Sequence, residues 1–310
     1  MNSDTNILKQ RDRHSLSMIE NAFLNGSLAR DFPEIERRKG ITAAQFETEH
    51  RKLSRPVVLE GYVNDWPSVQ AWSFDALADK CADVRVTVDS YNSQRAHERT
   101  FSEFVNLLHT NLPPAAPLYL QEWYYQTNCP ALTADLPEIE IAQYDFRQNL
   151  YGRSISTNHQ LWIGQKGGIT RLHQDSYMMD VMHAQIIGQK KWTVISPDAY
   201  VSDPTDFIRL AQDPDTSILQ CTLNPGDLLY LPAQWWHRIE LTQDSVGLGR
   251  KCLDERHLQP HIHQRMAELL SLLLNQDEIK EMNPELFNVV MSRNRAWAQR
   301  MNIDLKKLRP

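Results

Sequence analysis

The tripeptide His173-Gln174-Asp175 carries an imidazole and a carboxylate two residues apart. On an extended strand, residues i and i+2 point to the same face, so both groups can converge on one ion. A third ligand must come from another segment. His237 is the best placed, because it follows a turn signal (Asn224-Pro225-Gly226-Asp227), an apolar run (Leu228-Leu229-Tyr230-Leu231), a break at Pro232 and the pair Trp235-Trp236. Two imidazoles and one carboxylate on one face of an octahedral ion leave three adjacent positions open. That is the ligand set of non-haem iron(II) oxygenases, whose open positions take a bidentate cosubstrate and O2. Either segment alone is weak. HxD recurs by chance, and a histidine after two tryptophans is more often a packed, hydrogen-bonded residue. Their joint occurrence, in this order and in a strand-rich region, makes His173, Asp175 and His237 a candidate iron(II) site.

Such a site needs strands to hold it, and the region from about 115 to 250 supplies them. Strands are expected from Leu118 to Trp123, Gln160 to Gly164, Met178 to Ile187, Lys191 to Ile195, Ser217 to Leu223, Asp227 to Leu231 and His237 to Leu241. Many short strands at this spacing favour a sandwich or barrel over alternating βα units. The preceding region mixes patterns. Ile19, Phe23 and Leu28 suit one helix face, Arg55 to Gly61 reads as a strand, and Trp66-Pro67 as a break. Ser73 to Lys80 reads as a capped helix, Asp83 to Asp89 as an alternating strand, and Thr100 to Leu108 opens with a capping box. Beyond about 260 the pattern is helical, with a stripe of Met266, Leu269, Leu270, Leu273 and Leu274, and a second helix starting at Asn283-Pro284.

A lysine at the mouth of a barrel suits a carboxylate held at a fixed distance from a metal, and Lys190 follows the HxD segment. Three motifs now stand in order: T-x-x-H-x-D from Thr170, Q-x-x-G-x-K-x-W from Gln185, and G-D-x-L-Y-x-P-x-x-W-W-H from Gly226. Together they resemble the JmjC/cupin-like oxygenases. Within that family they look most like the branch containing the asparaginyl hydroxylase that modifies hypoxia-inducible factor. Arg55 to Leu59 and Asp65-Trp66-Pro67 resemble that branch's N-terminal region, so the resemblance runs from about 50 to 245.

The resemblance implies a mainly β fold with flanking helices: a double-stranded β-helix (jelly-roll, cupin-type) core, an N-terminal α/β elaboration and C-terminal helices. It implies iron(II), 2-oxoglutarate and O2. Lys190 would form a salt bridge to the far carboxylate of 2-oxoglutarate, with Thr170 and Tyr119 hydrogen-bonded to the same group. The implied reaction hydroxylates a C–H bond in an amino-acid, peptide or protein side chain, with succinate and CO2 as coproducts. Two departures stand out. The stretch from Asp175 to Gln185 is slightly longer than usual and lacks an asparagine often found there, with Asp180 or Val181 nearby. After His237, where the family carries a further polar residue near the cosubstrate, this chain has Ser245-Val246-Gly247-Leu248-Gly249-Arg250-Lys251. Two glycines weaken a strand and open space. Arg250 or Lys251 could contact an acidic group there, or the segment is a solvated, irregular strand end. Other readings stay open: a cupin using its metal for isomerisation or ligand binding, which has no need of Lys190, or N-methyl demethylation within the family.

The 310 residues suit one large domain or a domain with an appendage, divided here as 1–110, 111–255 and 256–310. With 41% hydrophobic residues, 23% charged and a net charge of −6, the chain offers no strong basic field for nucleic acid. Its N-terminus is polar and no apolar stretch is long enough for a bilayer, which predicts a cytoplasmic protein without a membrane segment. The cysteines Cys81, Cys129, Cys221 and Cys252 show no CxxC pairing, so reduced thiols are expected. The C-terminal stripe, with Phe287, Val290 and Trp297, suits either a homodimer interface or packing on the barrel. His257, His261 and His263 lack the acid or thiolate support that a second metal would need.

Overall fold

Alternation of side chains across a pleated strand decides this fold. The computed structural model describes residues 21–23, 26, 31–90, 97–110, 117–151, 159–197 and 218–273. Its strands are β1 (Arg37–Arg38), β2 (Val57–Leu59), β3 (Arg85–Ser90), β4 (His97–Thr100), β5 (Leu118–Trp123), β6 (Gln160–Gly164) and β7 (Ile169–His173). They continue as β8 (Asp180–Ile187), β9 (Lys190–Ile195), β10 (Ile218–Leu223), β11 (Leu228–Leu231), β12 (Trp236–Leu241) and β13 (Ser245–Cys252). One sheet runs β1-β2-β11-β8-β13-β6-β5-β3-β4, the other β10-β9-β12-β7. Both sheets also pair strands far apart in sequence, β2 with β11 and β8 with β13 in one and β7 with β12 in the other, as the crossovers of a jelly-roll require.

Along β11, Leu229 and Leu231 join a cluster with Trp192, Val194 and Ile239 of the smaller sheet. Leu228 and Tyr230, on the opposite face, join Leu77, Phe101 and Phe104 from the N-terminal helices. The large sheet is therefore packed on both faces, the barrel interior on one side and helices on the other. Those helices form where the sequence caps them. Ser73 accepts from Ala76 N at the start of Phe74–Cys81, and Thr100 and Glu103 close a reciprocal capping box on Phe101–His109. Leu77, Phe101 and Phe104 have no exposed surface, and each contributes roughly 1.5–3 kcal/mol by burial.

Several expectations need correction. Pro67 does not simply break the chain; it is the first residue of a short helix, Pro67–Ala71, where its missing N–H is of no consequence. The glycine-containing segment after His237 is not a frayed end. It is β13, eight residues long and paired with both β8 and β6. Cys81 and Cys129 form a disulfide across 48 residues of sequence, against the expectation of four reduced thiols. Folding alone brings them together, so local spacing gave no signal. Cys221 and Cys252 are free and buried. Residues 274–310 lie outside the described residues, and with them the helix expected at Asn283-Pro284 and the residues Leu274, Phe287, Val290 and Trp297; so do Ile19 and Leu28. No helix among the described residues is long and apolar enough to cross a membrane.

Candidate metal centre and its pocket

His173 ends β7 and His237 sits opposite it in β12, with ring centroids 4.1 Å apart. Asp175 lies just past β7 in extended backbone (φ −69°, ψ 144°), which brings its carboxylate round to the same side. One ligand atom from each of the three falls within 4.8 Å of the others. His173 Nδ1 is 2.7 Å from the Arg171 carbonyl, and His237 Nδ1 is 3.0 Å from the Trp235 carbonyl. Each Nδ1–H therefore donates to backbone, which leaves Nε2 with its lone pair free, the way a ligating histidine is held. The Trp192 ring stacks on His237 with 26° between planes.

The charges suit a cation. Burial acts to raise the Asp175 carboxyl, but Lys251, His237 and His173 override it and hold the group at about 2. Burial, with His173 beside it, brings His237 down to about 4. At neutral pH the set is thus one carboxylate and a neutral His237, as ligation requires. Lys251 Nζ binds Asp175 Oδ1 at 3.0 Å, and the same oxygen lies 3.9 Å from His173 Nε2, so the lysine fixes the carboxylate beside the imidazole. The turn that follows is tied down as well. Tyr177 and Met178 have left-handed backbone (φ 70° and 55°). Tyr177 N donates to Gln264 Oε1 at 2.7 Å, His261 Nδ1 donates to Tyr177 O at 2.8 Å, and the Arg265 guanidinium lies 3.8 Å from the centre of the Tyr177 ring. All three partners belong to the helix Leu258–Leu273.

A cavity opens from these residues into the barrel, lined also by Tyr119, Trp162, Thr170, His183 and Lys190. Lys190 starts β9 and is fully buried. No carboxylate among the described residues pairs with it, and burial pulls its ammonium down to about 7. A buried cation with no counter-ion marks a place for an anion. The Thr170 hydroxyl is buried without a well-aligned hydrogen-bond partner. It lies near the buried Tyr119 phenol, whose pKa burial raises and Thr170 opposes. The structure thus gathers all six expected residues, His173, Asp175, His237, Lys190, Thr170 and Tyr119, around one cavity.

The two residues near the missing asparagine part company. Val181 lines the cavity, whereas Asp180 turns away to the Tyr144 and Tyr230 hydroxyls and Ala233 N. Arg250 and Lys251 do contact acids: Arg250 reaches Glu138 at 2.7 Å, and Lys251 reaches Asp175. Among the aromatics of this region, Trp162 and Trp192 line the cavity, while Trp123 stacks on Phe101 in the outer core. Sequence reasoning missed His183. Its signal was a histidine two residues after Val181, and so on the same face, within a strand buried almost throughout.

Comparison with known proteins decides the family. Residues 43–204 and 201–250 match the cupin-like domain family. The chain belongs to that family. It is 25% identical over 283 residues to the lysine-specific demethylase JMJ21 of Arabidopsis thaliana, covering 81% of this chain and 29% of that protein. It is 25% identical over 248 residues to the arginine-specific demethylase JMJ22 of the same plant, covering 72% and 47%. It is 28% identical over 229 residues to lysine-specific demethylase 8 of Xenopus tropicalis, covering 66% and 49%. The chain spans less than half the length of each of these relatives. Their names support the JmjC/cupin-like family expected from the motifs and give no support to the asparaginyl hydroxylase branch in particular.

Proposed function

We propose that this protein is an iron(II)- and 2-oxoglutarate-dependent oxygenase acting on side chains of a protein or peptide, with N-methyl groups of lysine or arginine as the first substrate class. The observation that carries it is the two-His, one-carboxylate set sharing a cavity with a buried lysine that no carboxylate among the described residues pairs with. His173, Asp175 and His237 would hold the metal; Lys190, Thr170 and Tyr119 would hold the far carboxylate of 2-oxoglutarate. Bound there, metal and cosubstrate supply an oxidant from O2, with succinate and CO2 as coproducts. The protein's share is orientation and a dry wall. Lys251 fixes one oxygen of Asp175, backbone carbonyls fix both imidazoles, and Trp192 covers one face of His237.

Hydroxylation and demethylation differ here only in the carbon attacked. Oxygen placed on an N-methyl carbon gives a hydroxymethylamine that sheds formaldehyde; placed on any other saturated carbon it gives a stable alcohol. The names of the relatives support the first; the motif resemblance suggested the second. A non-oxygenase cupin would leave Lys190 unexplained. A cytoplasmic setting and a homodimer through the C-terminal helices belong to this proposal as well.

The test is aerobic turnover with iron(II), 2-oxoglutarate and ascorbate on methylated lysine and arginine peptides beside their unmethylated forms. Succinate that is lost in His173→Ala, with formaldehyde from a methylated peptide, is the expected result. A gain of one oxygen without formaldehyde moves the reading to hydroxylation. No succinate, and no 2-oxoglutarate binding by the metal-loaded protein, overturns it.

A further inference from the structure

We infer that His183 is a positioning residue of the cosubstrate site: it accepts a hydrogen bond from Lys190 and so aims the lysine ammonium at the far carboxylate of 2-oxoglutarate. The inference deepens the role proposed for Lys190 and rests on it. His183 lies on β8, one alternation from Val181, and both side chains line the cavity. It is 4% exposed. A histidine buried on an inward strand face is costly unless a polar group meets it. Here that group is Lys190, whose Nζ is 3.4 Å from His183 Nε2. The Trp192 ring meets the imidazole edge-on, with centroids 5.1 Å apart.

Space for the pair is made across the strands. A β-carbon added at Gly247 of β13 would stand 2.4 Å from His183 Nε2 and 3.0 Å from Lys190 Nζ. The residue without a side chain faces the two basic groups. Two basic groups in one dry pocket cannot both be charged unless an anion joins them. Burial, and then the charge of Lys190, drive the His183 pKa well below its usual value, so the imidazole is neutral and has a lone pair to offer. One N–H of Lys190 then goes to His183. The others are left for a ligand carboxylate entering from the cavity.

The experiment is titration calorimetry on the full chain loaded with manganese(II), a redox-inert probe. The ligands are 2-oxoglutarate and 2-oxobutyrate, which keeps the keto acid and lacks the far carboxylate. Removing an acceptor from a charged donor should weaken 2-oxoglutarate about tenfold or more in His183→Leu, with 2-oxobutyrate and manganese(II) affinities within about twofold of wild type. His183→Gln, which restores an acceptor, should recover most of the loss. Should His183→Leu fail to fold, His183→Asn, polar but too short to reach Lys190, carries the same expectation. Unchanged 2-oxoglutarate affinity, or equal weakening of both keto acids, overturns the inference. Lys190→Met with unchanged 2-oxoglutarate affinity overturns the underlying role of Lys190 instead, so the two failures are distinct.

Discussion

An ammonium pulled down to about 7 by burial must leave a trace in stability before any ligand is present. Between that value and the ordinary lysine range near 10.5, the unfolded chain holds a proton that the folded chain has released. Stability of the ligand-free protein therefore rises with pH across this window, and the full penalty stands below it. Lys190→Met should stabilise the ligand-free protein at pH 6 by a few kcal/mol, about 1.4 for each unit of the depression at most, with the gain shrinking toward pH 10. Chemical denaturation at pH 6 and pH 9 measures this, and equal gains at both would show that Lys190 is not desolvated. At this scale the sequence was most informative where chemistry sits in spaced motifs, as for His173, Asp175, His237 and Lys190. Thr170 and Tyr119 came only through resemblance. His183 was invisible because its meaning lies across the sheet, in a glycine 64 positions further on.

Strands β8 and β13 show what a strand can hide. Gly247 and Gly249 argued for weakness, yet the backbone bonds of β13 to β6 and β8 need no side chains, and the absent ones make room for His183, Lys190 and Trp162. Gly247→Ala should therefore leave manganese(II) binding intact and weaken 2-oxoglutarate about fivefold or more, since overpacking of this kind costs about 1–3 kcal/mol. Wild-type affinity in the alanine variant would mean that the pair has slack to move. Most expected strands appear within two residues of their read limits. β8 starts two residues later than read, at Asp180, because Tyr177 and Met178 adopt left-handed backbone that no local composition announced. The capped helices were legible because Ser73 and Thr100 act within one turn.

At the scale of the whole molecule, the Cys81–Cys129 bond joins the end of an N-terminal helix to the segment after β5, closing a loop of 48 residues. A loop of that size constrains the unfolded chain by about 4 kcal/mol. Reduction, or Cys81→Ser with Cys129→Ser, should lower the unfolding free energy by up to that amount, read from urea curves with and without reductant. Curves that coincide would show the bond to be open in the purified protein. Family and core were legible from motif order because the barrel is what the motifs build. The disulfide was not, since four cysteines allow three pairings and spacing chooses none. The tie between Tyr177 and the helix Leu258–Leu273 has its own consequence. That helix grips the turn next to Asp175, so a centre that holds its ion with Asp175 in place favours the docked helix, and a docked helix favours the ion. By linkage, anything that stabilised this docking would tighten the ion by the same factor as the ion stabilised the docking. The grip of Gln264 and His261 on Tyr177 thus makes the helix Leu258–Leu273 a brace for the carboxylate two residues away.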